Sequence, residues 1–430
     1  TWQAIFQTEL NHNIGTGWQG AQGDREWTYG EYALGLAVCP TDADRVMLTD
    51  LGFVHGTTNG GATWHQLYVD PRDANPPDQP TPKGKNYRSI GLENTSAWWL
   101  LWTQRTNLFA CYTDIRGVRS SQAGASWSFD YRGLTLNSSY HALQHPGSGR
   151  IYLAESSVHD LYQSRYLEDE SMNGRGGILY SDDAGAQWNV LHDFNHPVIF
   201  LALDPNDPHR LYASVVHSVD GGIYVTSNLQ DGTGSTWTRL AEPPRTERHP
   251  FNIQVLRDGT LVCTYSGRRV GDAFTASSGV YASTNGGFSW LDRSDPGMHY
   301  WTKDLLIDPH DPAQNTWYVS VFSGWGGVAN ALGGVYQTTD RGRSWTRITG
   351  GLLDRVESCT ISPVDPDLMF VTTEGQGLWC STNLHAVVPE FLPVPGYPFR
   401  NPLRVFYQPY DPTEIWVTSF GNGLRVGRET

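Results

Sequence analysis

The chain has 430 residues, with 44 Asp and Glu against 30 Lys and Arg, a formal charge of −14, and 17 Trp, 21 Tyr, 15 Phe and 46 Gly. That charge argues against nucleic acid or an anionic membrane surface as a partner. No stretch is apolar enough to span a membrane, and no secretory leader opens the sequence, so Thr1 reads as a mature or trimmed start.

Taken in order, the predicted elements repeat. Apolar inner strands occur as LGLAVCP, YHALQHP, IFLALDP, KDLLIDP, SCTISP and RVFYQP, several followed by a short turn containing Asp-Pro. A second strand follows each: RVMLTD, RIYLAE, RLYASV, TWYVSV, LMFVTT and EIWVTS. A third strand (GILYS, GVYAS, GVYQT) then leads into a turn of the form S/T-x-D/N-x-G-x-[ST]-W. The turn is cleanest at Thr57–Trp64, Ser181–Trp188, Ser283–Trp290 and Thr338–Trp345. It has Gln122 in place of the acid at Ser120–Trp127 and an insertion at Thr226–Trp237. The six tryptophans stand 63, 61, 49, 53 and 55 residues apart, the mark of one supersecondary unit repeated. Asp or Asn accepts backbone N–H groups, Gly takes a conformation strained for other residues, and Trp packs between units.

Four strands per unit predict an all-β, single-domain β-propeller over residues 1–430, with eight blades or, alternatively, seven. TWQAIF at Thr1–Phe6 reads like the strand after a tryptophan turn and is expected to close the last blade, removing an open edge. The five cysteines sit mostly in apolar strands and read as reduced thiols; no Cys or His spacing matches a zinc site, and no cofactor is expected. Glu168, Asp169 and Glu170 could attract calcium without forming a metal motif.

The tryptophan turns and the Asp-Pro turns share one face. The opposite face receives the long segments 11–32, 69–96, 156–177, 266–278 and 322–334, where a rigid scaffold places function. Second strands end there in Asp50, Asp114, Glu155 and Glu374. A pair of such carboxylates, one protonated and one ionised, is what glycosidic cleavage requires. Trp18, Trp27, Trp301 and Trp325 are candidate platforms for sugar rings at this mouth. Lys303, Asp304, Arg355, Glu357 and Arg404 reach it from the connections between blades. Elimination on a uronate needs a base and a cation instead, which Tyr140, His141, His217, Arg116, Arg268 and Arg269 could supply.

The tryptophan turn resembles the Asp-box of sialidases, sortilin-type receptor domains and family-74 glycoside hydrolases (xyloglucanases). Thr49–Trp64 (TDLGFVHGTTNGGATW) and Thr113–Trp127 (TDIRGVRSSQAGASW) are similar to the T-D-I-G-G segments of the xyloglucanases, with Phe53 and Arg116 replacing glycines. The resemblance implies that the box is structural and that Asp50 and Asp114 are catalytic. It also implies a secreted or periplasmic hydrolase acting on a polysaccharide or oligosaccharide, here as a monomer. Those enzymes carry two seven-bladed propellers, whereas this chain is read as one. A polysaccharide lyase and a non-catalytic glycan- or protein-binding propeller are the alternative readings, since Asp-boxes also occur in receptors.

Overall fold

The computed structural model describes residues 2–25, 33–91, 95–161, 173–270, 273–324 and 330–429. Trp27, Trp325 and the acidic run Glu168–Glu170 lie outside them. The chain is all-β and builds eight successive antiparallel sheets, in the arrangement of a β-propeller. The first contains Gly35–Cys39, Asp42–Thr49, Val54–Thr57 and Trp64–Gln66, with Ile14–Gly15 added parallel to its outer strand. The second contains Ala97–Trp102, Leu108–Tyr112 and Gly117–Ser120. Four-stranded sheets follow, with inner strands Ser138–Gln144, Val198–Asp204, Pro250–Val255, Trp301–Ile307 and Val356–Ile361. The last is three-stranded: Pro402–Gln408, Asp411–Ser419 and Leu424–Arg428.

From the second sheet onward each inner strand packs on the next, and Pro402–Gln408 of the last sheet packs on Ala97–Trp102 of the second. Second strands are covered on both faces, so Leu108–Tyr112, Ile151–Ser156, Leu261–Tyr265, Trp317–Phe322 and Met369–Thr373 are buried throughout. That double covering explains their nearly continuous apolar sequences. The first sheet differs: Leu36, Val38 and Met47, on its inner strands, are 59%, 50% and 58% exposed.

The tryptophan turns share one hydrogen-bond pattern. In Ser283–Trp290, Ser283 Oγ donates to Asn285 Oδ1 (2.9 Å) and accepts from Gly287 N (2.9 Å), while Ser289 N donates to Asn285 Oδ1 (3.0 Å). Ser181 with Asp183 and Thr338 with Asp340 repeat it. Asn383 does so too, accepting from Glu390 N, so that buried Phe391 stands where the tryptophan would. Gly287 has φ +85°, and a Cβ there would meet Leu240 Cδ1 at 2.5 Å. Gly287→Ala is therefore expected to cost about 1–2 kcal/mol, read as a lower urea midpoint with unchanged slope.

The indoles explain one departure from expectation. Trp290 Nε1 donates to Ala241 O (2.8 Å) and Trp345 Nε1 to Arg293 O (2.6 Å), each acceptor lying just past the outer strand of the preceding sheet. Trp64 Nε1 makes the same bond to Ile5 O (2.7 Å), and Phe6 packs edge-on against Trp64 and His55. The N-terminal segment thus takes the outer-strand position beside the first sheet. It does not close the last sheet, which has no fourth strand among the described residues. All five cysteines are unpaired, and Cys111, Cys263 and Cys359 are buried, as expected of reduced core thiols. No described helix is long and apolar enough to cross a membrane.

Candidate active site

The four strand-end carboxylates fall in three places rather than one. Asp50 follows the second strand of the first sheet and closes its own turn: Oδ1 accepts from Gly52 N (2.9 Å) and Phe53 N (2.6 Å). His55 Nε2 lies 3.5 Å from its Oδ2. Burial raises its pKa, but the His55 contact and these backbone donors outweigh that and hold it below the usual carboxylate value. The same carboxylate therefore holds its own turn together.

Asp114 and Glu155 stand at the ends of the second strands of the adjoining second and third sheets. Asp114 follows Leu108–Tyr112 in a tight turn and has φ 61°; Arg116, two residues on, has φ 69°. Neither is glycine, and a left-handed conformation costs a side-chain-bearing residue about 1–2 kcal/mol, strain that clusters at functional sites. Arg116 stands where the T-D-I-G-G pattern has a glycine, the residue suited to its φ. The Asp114 side chain is exposed, and its Oδ1 accepts from Asn137 Nδ2 (3.1 Å). Ser139 Oγ donates to Arg116 O, and Ser139 pairs in register with Glu155. The Asn137–Ser139 segment therefore joins the Asp114 turn to the strand that carries Glu155.

Glu155 is 8% exposed. Burial first, then the negative charge of Asp193, raises its pKa from 4.5 to about 7, against the lowering effects of Arg175, the Leu136 N–H and Arg116. A third left-handed residue, Asp160 (φ 52°), adjoins the group: its N–H lies 3.4 Å from Thr113 Oγ1 and its Oδ2 3.1 Å from His159 Nδ1. Asp160 was not singled out from sequence, and Asn137 only as the first residue of a glycosylation-type triplet. Asn137 opens an Asn-Ser-Ser triplet whose two serines are buried, so its amide serves Asp114.

Behind the Asp114 turn lies a small, partly open pocket of about 80 Å³, lined by Ile115, Tyr112, Trp18, Tyr87, Trp127 and Phe129 among others. Trp18 contributes one wall while packing edge-on to Phe53 and Tyr68, and is 7% exposed. It is a wall of this pocket and not the open platform expected.

Glu374 belongs to a third group on the inner strands around Trp301. It pairs with Arg355 (3.1 Å) and raises the pKa of neighbouring Glu357. Glu357 is ion-paired with Lys303, both under 8% exposed, and Arg404 pairs with Asp304 (2.7 Å). The Lys303 ammonium lies 4.3 Å from the Trp301 ring centroid, and Arg404 is 4.9 Å from that of Trp99. Trp301 is fully buried under these charges and cannot stack on a sugar.

The side chains considered for the alternative, elimination, lie in several different settings. Tyr140 is 1% exposed, and its hydroxyl donates to Val158 O (2.7 Å) while accepting from Leu161 N (3.0 Å). His141 is wedged between the Trp99 and Phe200 rings, and burial drives its pKa well below 6.5. Neither reaches a substrate proton. Arg268 lies 3.8 Å from Glu247, Arg269 is in a short hairpin above the fifth sheet, and His217 stacks on His196.

No protein-family model matches the chain. Over 261 residues, 55% of this chain, it is 26% identical to a xyloglucanase of Hypocrea jecorina (strain QM6a), of which the match covers 30%. Among solved structures, an ancestral GH74 enzyme superposes with a TM-score of 0.65 at 14% identity over 96% of this chain and 59% of that one. The GH74 xyloglucanase from Xanthomonas campestris gives 0.54 at 14% identity, over 92% and 50%. YCF48 from Cyanidioschyzon merolae gives 0.51 at 12% identity, over 81% and 99%. The chain thus spans less than two thirds of the length of the xyloglucanase and of both GH74 structures. It is a β-propeller similar in sequence and fold to the GH74 xyloglucanases.

Proposed function

We propose that this protein is a secreted or periplasmic glycoside hydrolase acting on a β-glucan-type polysaccharide of the xyloglucan class. Glu155 serves as general acid and Asp114 as the ionised partner. The observation that carries this reading is the divergent environment of two strand-end carboxylates on adjoining sheets: Glu155 buried and raised to about 7, Asp114 exposed on a strained turn. Two such groups are what protonation of a leaving oxygen and stabilisation of an oxocarbenium-like transition state require. The aromatic pocket beside Ile115 supplies apolar walls for a sugar ring. The similarity to a xyloglucanase favours the substrate class. The seven sheets from Ala97 to Arg428 are read as the blades of the propeller, with the first sheet outside that ring.

The test is incubation with xyloglucan, mixed-linkage glucan, mannan and polygalacturonate, with products analysed by mass. Release of oligosaccharides one water heavier than the internal repeat supports hydrolysis. Products that instead absorb in the near ultraviolet identify elimination, and no release from any of the four rejects the proposal.

A further inference from the structure

We propose that His196, His217 and Asp220 form a binding site for a zinc-type divalent cation at the fourth sheet. His196 lies just before the inner strand Val198–Asp204, and the other two lie in the turn after Asp207–Val215. His196 Nε2 is 3.4 Å and His217 Nδ1 3.8 Å from the same carboxylate oxygen, Asp220 Oδ2, and the three donor atoms lie within 4.8 Å of one another. A tetrahedral zinc ion with bonds of about 2.0–2.1 Å sets its ligands about 3.3 Å apart. The donor spacing is therefore close to that of a tetrahedral zinc set.

The backbone that carries these donors is tied together. Val216 N donates to Pro197 O (2.9 Å), joining the two segments, and Gly221 N donates to His217 O (2.8 Å), closing the turn. A Cβ at Gly221 would lie 2.3 Å from His217 O and 2.4 Å from Arg248 O, so this turn admits only glycine. The imidazoles stack with centroids 4.0 Å apart and planes 18° apart. Rings stacked this way aim their nitrogen lone pairs along nearly parallel planes, so a shared ion requires one imidazole to turn out of the stack. His217 Nδ1 accepts from Val219 N (3.3 Å) and Asp220 N (3.0 Å). Coordination exchanges those contacts for a metal bond, with the ring turning toward Asp220. Asp220 is 57% exposed, which leaves the remaining coordination positions open to water or a glycan hydroxyl. The site adjoins the strand of Glu155: a Cβ at Gly176 would lie 2.6 Å from both Glu155 O and His196 O.

The experiment uses the whole chain, stripped with EDTA and titrated with Co²⁺ as a spectroscopic substitute and with Zn²⁺ by calorimetry. We expect one equivalent bound, with a visible Co²⁺ absorption band that Zn²⁺ abolishes. His217→Ala and Asp220→Ala should each weaken binding at least tenfold with unchanged circular dichroism, and the exposed-histidine control His209→Ala should bind like the parent. Absence of a Co²⁺ band at tenfold excess, or equal binding by His217→Ala and the parent, overturns the proposal. Either result leaves the glycosidase reading to its own test.

Discussion

Glu155→Gln and Asp114→Asn are each expected to lower turnover on the polysaccharide by about 10²–10⁴-fold, the range for removing a positioned acid or charge. Both side chains keep their shape, so circular dichroism should not change. The two variants should differ in other respects. Glu155 has a folded pKa of about 7 against 4.5, so the folded state holds the proton more tightly than the unfolded one. Stability therefore falls as pH rises from about 4.5 to about 7 and stays reduced above that range. Gln carries no such charge, so Glu155→Gln should be more stable than the parent at pH 8 by up to roughly 3 kcal/mol, with the gap closing toward pH 4.5. Denaturant melts at the two pH values measure it. A variant that loses activity while gaining stability marks a residue kept for chemistry. Parent activity should fall as pH rises through about 7, because the general acid must be protonated.

Lys303→Met is expected to produce the largest loss of stability, about 3–5 kcal/mol, the usual result of removing one partner of a buried ion pair. Glu357 is fully enclosed, and its pKa is raised to about 7 chiefly by burial, with Lys303 the main opposing influence. Without the ammonium, that carboxyl shifts further upward. Since a raised carboxyl pKa removes stability with increasing pH, the loss should be greater at pH 8 than at pH 5. Lys303→Met combined with Glu357→Gln should recover much of it, because no buried charge is then left uncompensated. Urea midpoints of the parent, both single variants and the double variant at the two pH values complete the cycle. Equal losses at pH 5 and pH 8, without recovery in the double variant, would show that the ion pair does not control stability here.

Much of the fold was legible because its determinants are local. The Ser-Asn-Gly-Ser-Trp spacing at Ser283–Trp290 fixes a turn through bonds that span only a few residues. The apolar runs follow from second strands being covered on both faces. The place of Thr1–Phe6 was not legible: its outer-strand character is visible, but two sheets could receive it, and the indole bond from Trp64 to Ile5 O decides.

The candidate site was half legible. Strand ends indicated Asp50, Asp114, Glu155 and Glu374 but not their partners. Gly52 and Phe53 bind Asp50 from its own turn, whereas Glu155 acquires its character from burial and from Asp193, on the outer strand of its sheet. Trp18 and Trp301 show the same limit. Tryptophan in a loop suggests a sugar platform, but packing against Phe53 and Tyr68, or beneath Lys303, is set by residues distant in sequence.

The most direct measurement is reducing-end release from xyloglucan at pH 6 by the parent, Asp114→Asn and Glu155→Gln side by side, with Asp50→Asn as the turn-forming control. Steady release is predicted for the parent and for the folded fraction of Asp50→Asn, with at least a hundredfold less for the other two. Equal release by the parent and both Asp114→Asn and Glu155→Gln would contradict the assignment of these carboxylates.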